Sequence, residues 1–421
     1  MIGYYLYLAF TISYFLHLPS RIPVLGVIRF DLVLSGAILF FALLFRKEYI
    51  GEKGNISIIT KAILILIGYI IISVPFVRWP GSVIRFGLND YLKVIIFYFF
   101  TIWYIDSEKK LKQLILIFIL CQSFRIFEPV FLHVTEGYWG SGAASVTGDS
   151  QTFLNRLSGA PHDIVNPNQL AWVIVTTMIF LYYLLMSSGN ILKIVFLLSF
   201  PIFLYALVLT GSRSGFLSLI VTIICIVLMR PNKLKGIIIG ALIIVLIGSL
   251  TIPHIGKQFQ DRYMSIFDSN RPGHDTVIRR IAALKKTLST VLDAPIFGHG
   301  LRTSLETNYE IIGGRAQLSH NLYIEILQEL GVIGFIIFFM YVKRIIETLM
   351  LTKRNLLAQS SGCSWLIGLM TSIQVWIIMD LFYSFSCFGL SSWEWYFFGG
   401  VSAVMYKLSQ EPDLVVHKNR V

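Results

Sequence analysis

The sequence predicts an all-α, polytopic membrane protein with about twelve crossings. Three observations lead there. Of 421 residues, 56% are hydrophobic and only 14% charged, against about a quarter charged in an ordinary soluble domain. The mean hydropathy is +0.73, which one solvated globule does not sustain. The apolar residues also come in repeated runs, each near the length of about twenty residues that a helix needs to cross the hydrocarbon core.

Taken in order, the candidate spans are 2–18, 24–45, 57–77, 91–105, 111–134, 168–187, 191–210, 214–229, 235–252, 321–342, 363–387 and 393–408. The first has no basic leader and no small-residue cleavage site, so it reads as a retained span. Short loops carry Arg46, Lys47 and Lys53, then Lys109, Lys110 and Lys112, then Arg230, Lys233 and Lys235, then Lys343, Arg344, Lys353 and Arg354. Alternating spans put all of them on one side, which the positive-inside bias makes cytoplasmic. Both termini then lie inside, in agreement with Lys407, Lys418 and Arg420. The division expected is 1–252 with nine spans and an outer loop near 135–167, 253–320 as a large outer loop, and 321–421 with three spans and a cytoplasmic tail.

The smaller outer loop opens with GYWGSGAASVTGD and reads as mobile; Asn166, Pro167 and Asn168 form a turn and cap into the next span. In the larger loop TVIRRIAALKKTLSTVL has helical spacing, with Val277, Ile281, Leu284 and Leu288 on one side and Pro295 as a stop. This predicts an amphipathic helix outside the membrane.

The net charge of +12 is assigned to topology and phosphate-bearing lipids and not to nucleic acid. Cys121, Cys225, Cys363 and Cys387 have no metal-ligand spacing and read as small hydrophobes. The sequence has no GxxxxGK[ST] phosphate loop, so an ATP-driven pump is not expected.

Arg213, in LTGSRSGFL, sits at the outer end between two apolar runs, where few arginines are expected. With Ser212, Ser214 and the amides opening the next helix it suits a phosphate or diphosphate; the alternative is a snorkelling arginine at the membrane edge. His320, in SHNLYIEILQELGVIGF, precedes an apolar helix with Asn321, Glu325 and Glu329 behind it. Its imidazole suits a general base or a phosphate partner; the alternative is a capping cluster. The larger loop adds Arg262, Arg271, Arg279, Arg280, Lys285, Lys286, Arg302 and Arg315, a basic cap in which Arg279 and Arg280 stand out because their helix can aim one of them at Arg213. Arg78, Arg85 and Arg156 are further candidates on that side, and Arg29, Asp31 and Arg125 fall in or near spans.

The chain resembles the O-antigen ligase and O-antigen polymerase superfamily of bacterial envelope glycosyltransferases. Arg213 to Leu217 reads R-x-x-x-L, His320 to Gly331 reads H-x10-G, and the PNQLAW span start and APIFGHG turn are also similar. The resemblance implies a GT-C-like membrane fold and transfer, with inversion, from an undecaprenyl-diphosphate-linked glycan on the periplasmic side of the inner membrane. It implies no cofactor and no obligatory metal. Arg213 would bind the diphosphate, His320 would act at the same centre, and the loop-helix arginine would fall on Arg279 or Arg280, with Ser212, Ser214, Asn321, Arg78, Arg85 and Arg156 as further substrate contacts. The motifs favour a ligase, with a lipid A core acceptor, over a polymerase, with a growing glycan acceptor. A polysaccharide transporter or flippase is the alternative of another class; it would need inverted repeats or charges midway through several helices.

Overall fold

A computed structural model describes residues 1–44, 57–140, 155–163, 165–186, 190–229, 256–266, 268, 275–313, 320–358, 364–387 and 389–410. These are helices and turns, with no strand among the described residues. Among the described residues six stretches are long and apolar enough to cross a membrane: Ile58–Phe76, Glu108–Glu136, Pro167–Leu185, Lys193–Thr210, Leu322–Ala358 and Trp365–Tyr383; Ile2–Leu16, Phe30–Leu44 and Arg213–Leu228 are shorter apolar helices. The chain is a multi-pass membrane protein on this evidence. The span expected at 235–252 lies outside the described residues, as do the glycine-rich residues 141–154.

The helices divide into two compact units, the first of residues 1–44, 109–274 and 371–383, the second of residues 45–108, 275–370 and 384–421. The first holds α1 (Ile2–Leu16) packed on α2 (Phe30–Leu44), then α5 (Glu108–Glu136), and α6 (Pro167–Met186) packed on α7 (Asn190–Thr210) and α8 (Arg213–Leu228), followed by the short α9 (Lys257–Met264). The second holds α3 (Ile58–Ser73), α4 (Leu88–Tyr104), α10 (Asp275–Asp293), α11 (Leu322–Ala358) and α13 (Trp393–Ser409), with α4 against α13 and α11 against α3, α10 and α13. Between them in sequence, α12 spans Ser364–Tyr383.

Local chemistry explains the boundaries. The Asn166 side chain accepts from Asn168 N (2.9 Å) and Gln169 N (3.0 Å) while Gln169 Oε1 accepts from Asn166 N (3.2 Å), a reciprocal cap that starts α6 with Pro167 in its first position. The expected span 24–45 begins later, at Phe30, because Pro23 and the left-handed Arg29 (φ 50°) break the run into short helices. The expected span 321–342 runs on to Ala358: past Lys343 the charged residues form a solvated side, with Arg344 on Glu347 at 2.6 Å, while Ile345, Leu349 and Leu356 stay buried. Charge ends an apolar run without ending a helix.

α8 lies close on α6 because residue 215 is glycine, where a Cβ would meet the Cβ of Ala171. Gly215→Val is expected to destabilise the protein by about 1–3 kcal/mol through overpacking, read as a lowered melting temperature in detergent; an unchanged melt would show that the helices can part at no cost.

Candidate functional site

The turn between α7 and α8 gathers three arginines. α7 ends at Thr210, Gly211 takes a left-handed φ of 57° that reverses the chain, and the buried Ser212 caps α8 by accepting from Gly215 N at 3.2 Å. Arg213 is thus the first residue of α8, half-buried, with Nη1 donating to Ser265 Oγ at 2.9 Å. Ser214 Oγ is 3.3 Å from Ser212 Oγ. Arg156, itself buried, donates from Nε to Thr210 O at 2.7 Å and from Nη2 to Asn168 Oδ1 at 2.9 Å. Arg262 donates from Nε to Gly211 O at 2.6 Å.

The carbonyls that end α7 attract cations, and the amides that open α8 attract anions. α9 is the clamp on this turn: the Tyr263 hydroxyl reaches Leu207 O (3.3 Å) and Val208 O (3.1 Å), and Ser265 Oγ donates to Arg262 O at 2.7 Å while receiving Arg213. Burial pushes the Tyr263 hydroxyl above its usual range, so it remains a protonated donor. Two guanidinium groups on adjacent carbonyls of the turn, and a third on Ser265 beside it, make a cluster of positive charge of the kind that suits a phosphate group.

The segment expected as a mobile loop near 135–167 is, over residues 155–163, packed and hydrogen-bonded. Leu157 N donates to Leu209 O at 2.9 Å and Tyr138 Oη to Gly159 O at 2.7 Å. It also delivers Asp163, 1% exposed, to Arg125, whose Nε and Nη2 meet the two carboxylate oxygens at 2.7 and 3.0 Å; His17 Nδ1 lies 3.1 Å from Oδ1, off the line of a well-aligned hydrogen bond. Burial works against the Asp163 charge, but Arg125 and His17 outweigh it and hold the carboxyl down to about 2. Arg21 and Glu128 pair beside it through two 2.6 Å bonds. Asp31, expected beside Arg29, takes the Ser13 hydroxyl.

In the second unit His320 is exposed, at φ 47°, immediately before α11. Asn321 caps that helix, accepting from Ile324 N at 3.1 Å and donating to Phe385 O at 3.2 Å. Glu325 accepts from Gly389 N at 2.7 Å and Leu390 N at 3.2 Å; Glu329 accepts from Ser304 Oγ at 2.6 Å and Arg302 N at 2.7 Å. Both carboxylates therefore tie loops to α11. Arg78 pairs with Glu310 at 3.2 Å and lies over the Trp79 ring, and Arg85 is exposed on the turn Val83–Gly87. Arg279 and Arg280 lie in the second turn of α10, and their side chains fall outside the described residues.

The structure therefore brings Arg213, Ser212, Ser214 and Arg156 together in the first unit, while His320, Asn321, Arg78, Arg85 and the α10 arginines belong to the second. Sequence reasoning counted Arg262 only within a basic cap and passed over Ser265. The aromatic neighbour Tyr263 on a short amphipathic helix was the available signal for Arg262; a lone serine carries none.

Residues 194–339 match the family model described as O-antigen ligase. No curated protein matches the chain. The matched stretch runs from α7 into α11 and contains the Arg213 turn, α10 and His320. Over this stretch the chain is similar to the O-antigen ligase family.

Proposed function

We propose that the protein is a ligase-type glycosyltransferase. It moves a glycan from undecaprenyl diphosphate to a lipid A core acceptor on the periplasmic face of the inner membrane, through twelve spans with residues 135–167 and 253–320 outside. The family implies a membrane glycosyltransferase acting on lipid-linked polysaccharide. The observation that carries the reading is the convergence of Arg156, Arg213 and Arg262 on the α7–α8 turn.

In this reading an acceptor hydroxyl attacks the anomeric carbon, the new C–O bond forms as the sugar–phosphate C–O bond breaks, undecaprenyl diphosphate leaves, and the anomeric carbon of the transferred glycan is inverted. The leaving diphosphate is the main barrier, because charge builds on it as the bond breaks. Preorganised arginines meet that charge without reorganising. Arg213, with Ser212 and Ser214 beside it, binds the diphosphate; His320 takes the acceptor proton or holds phosphate; Arg279, with Arg280, supplies further positive charge. Asn321, Arg78, Arg85 and Arg156 contact substrate. No residue role here requires a metal.

Deleting and restoring the gene in its native host, with lipopolysaccharide resolved on gels, tests the reading. Glycan lost from the core while lipid-linked polymer accumulates supports a ligase. A core bearing a single repeat unit identifies a polymerase, and an unchanged ladder rejects both. On the same assay Ser265→Ala is expected to lower transfer about tenfold, the worth of one hydrogen bond to a charged group; full activity would remove α9 from the site.

A further inference from the structure

α10 turns most of its large apolar side chains outward. The face it turns to the protein carries Thr287, Thr290 and Val291, all buried, and Thr290 Oγ1 receives Gln328 Nε2 of α11 at 3.0 Å, while the same amide donates to Asn308 Oδ1 at 2.8 Å. His299 Nε2 donates to Thr290 O at 2.7 Å. The face it turns outward carries Ile278, Ile281, Leu288 and Leu292, the last 75% exposed, and Ile296 follows just beyond the helix, also exposed. Ile281 and Leu288, on the apolar side that the helical spacing marks, therefore point away from the protein. In water this arrangement loses the hydrophobic term on every one of those side chains.

The position of α10 along α11 removes the difficulty. His299 N donates to Gln328 O (2.8 Å), Gly300 N to Glu329 O (3.0 Å), and Val332 N to Pro295 O (2.9 Å). Residues 294–300 thus dock into a break in α11 at Gly331, whose φ of 64° and ψ of −170° only glycine adopts without strain. Counting about twenty residues back from Lys343, where the apolar run of α11 ends, sets the far edge of the hydrocarbon near Tyr323. Residues 328–332 fall inside that edge. Non-helical backbone is tolerated there when it is buried in protein and its amides are paired, as these are.

The outward stripe is also continuous with lipid-facing surface. Phe297 stacks on Phe76 at 5.0 Å, and Phe76, Ile72, Val332 and Ile336 are exposed apolar residues of the candidate spans in the same unit. Lys286, Ser289 and Asp293 occupy the neighbouring arc of α10, suited to headgroups, and Lys285 at the edge of the stripe can snorkel.

We propose that α10 lies in the plane of the membrane interface, at the N-terminal end of α11. Its Ile281–Leu288–Leu292 stripe is immersed in the acyl chains of that leaflet, and the 294–300 turn re-enters beside the break in α11. The helix that follows the basic loop is then a lipid-embedded support and not a water-exposed cap.

The test uses the full chain in lipid nanodiscs, with Cys121, Cys225, Cys363 and Cys387 replaced by alanine and one spin label at a time placed at 281, 288 and 292, then at 286, 289 and 293. The expected result is an oxygen to nickel-chelate accessibility ratio several-fold higher in the first set than in the second. Equal access of the nickel chelate to both sets would put the stripe in water and overturn the proposal. Exclusion of both reagents from 281, 288 and 292 would show protein covering them, and would overturn it equally. Leu292, the most exposed of these positions, decides alone where another label lowers the melting temperature.

Discussion

Arg213→Ala is expected to lower glycan transfer by about two to three orders of magnitude, the usual loss when one preorganised donor to a developing oxyanion is removed. The expectation follows from how the residue is held. Its backbone opens α8 behind the Ser212 cap, and its guanidinium is fixed by Ser265 Oγ at 2.9 Å, so the positive charge is in place before the substrate arrives. Lysine keeps the charge but not the planar fork, so Arg213→Lys should recover only part of the activity. Membrane level and melting temperature should match the parent in both variants, because the side chain is half-buried and Ser212, not Arg213, provides the cap. Transfer at the parental rate by Arg213→Ala would remove the residue from the site. His320→Ala is expected to abolish transfer with the fold equally intact, since the helix start beneath it is capped by Asn321.

The second large effect is on stability. Arg125→Ala should destabilise the protein by about 3–5 kcal/mol, the cost of leaving a buried partner charge uncompensated. Asp163 is 1% exposed and both its oxygens lie on Arg125, so removal of the guanidinium leaves a buried carboxylate beside His17, with Arg21 already paired to Glu128. The sign with pH is fixed by the carboxyl being held at about 2, below the roughly 3.9 of an unfolded aspartate. Its contribution is complete above about pH 4 and is lost as the pH falls from there toward 2. Melting temperature in detergent should therefore decline over that window in the parent, and Asp163→Asn should flatten the decline. A parent-like pH profile in Asp163→Asn, or a parent-like melt in Arg125→Ala, would show that the pair is not held as described.

Much of this fold is legible in the chain because a helix that meets lipid writes its length and polarity directly into its residues. The runs near 57–77, 111–134, 168–187 and 191–210 coincide with helices to within a few residues, and the helix at 275–293 has its stop at Pro295. The Asn166 cap was readable from NPNQ, since Asx and Gln side chains reach backbone amides at fixed offsets. The errors have equally definite causes. Hydropathy marks where an apolar run stops, so it missed the continuation of α11 past Lys343 along its buried Ile345, Leu349 and Leu356. Helical spacing placed Ile281 and Leu288 on one side of α10, and only the packed structure shows that both are exposed. The glycine- and serine-rich opening of the loop near 135–167 made the whole loop read as mobile, whereas Arg125 and Thr210, distant in sequence, fasten residues 155–163.

By itself, then, the sequence determined the class of the protein, most of its described helices, and the local motifs around Arg213 and His320, because composition, period and capping act over a few neighbouring residues. Tertiary structure alone decided that Arg156 and Arg262 join Arg213 on one turn, that Ser265 orients it, that Asp163 answers Arg125, and that Glu325 and Glu329 bind loops. Those partners are separated by tens of residues, and the strength of a charge or a hydrogen bond depends on which distant group the packed chain brings to it and how far water is excluded when it arrives.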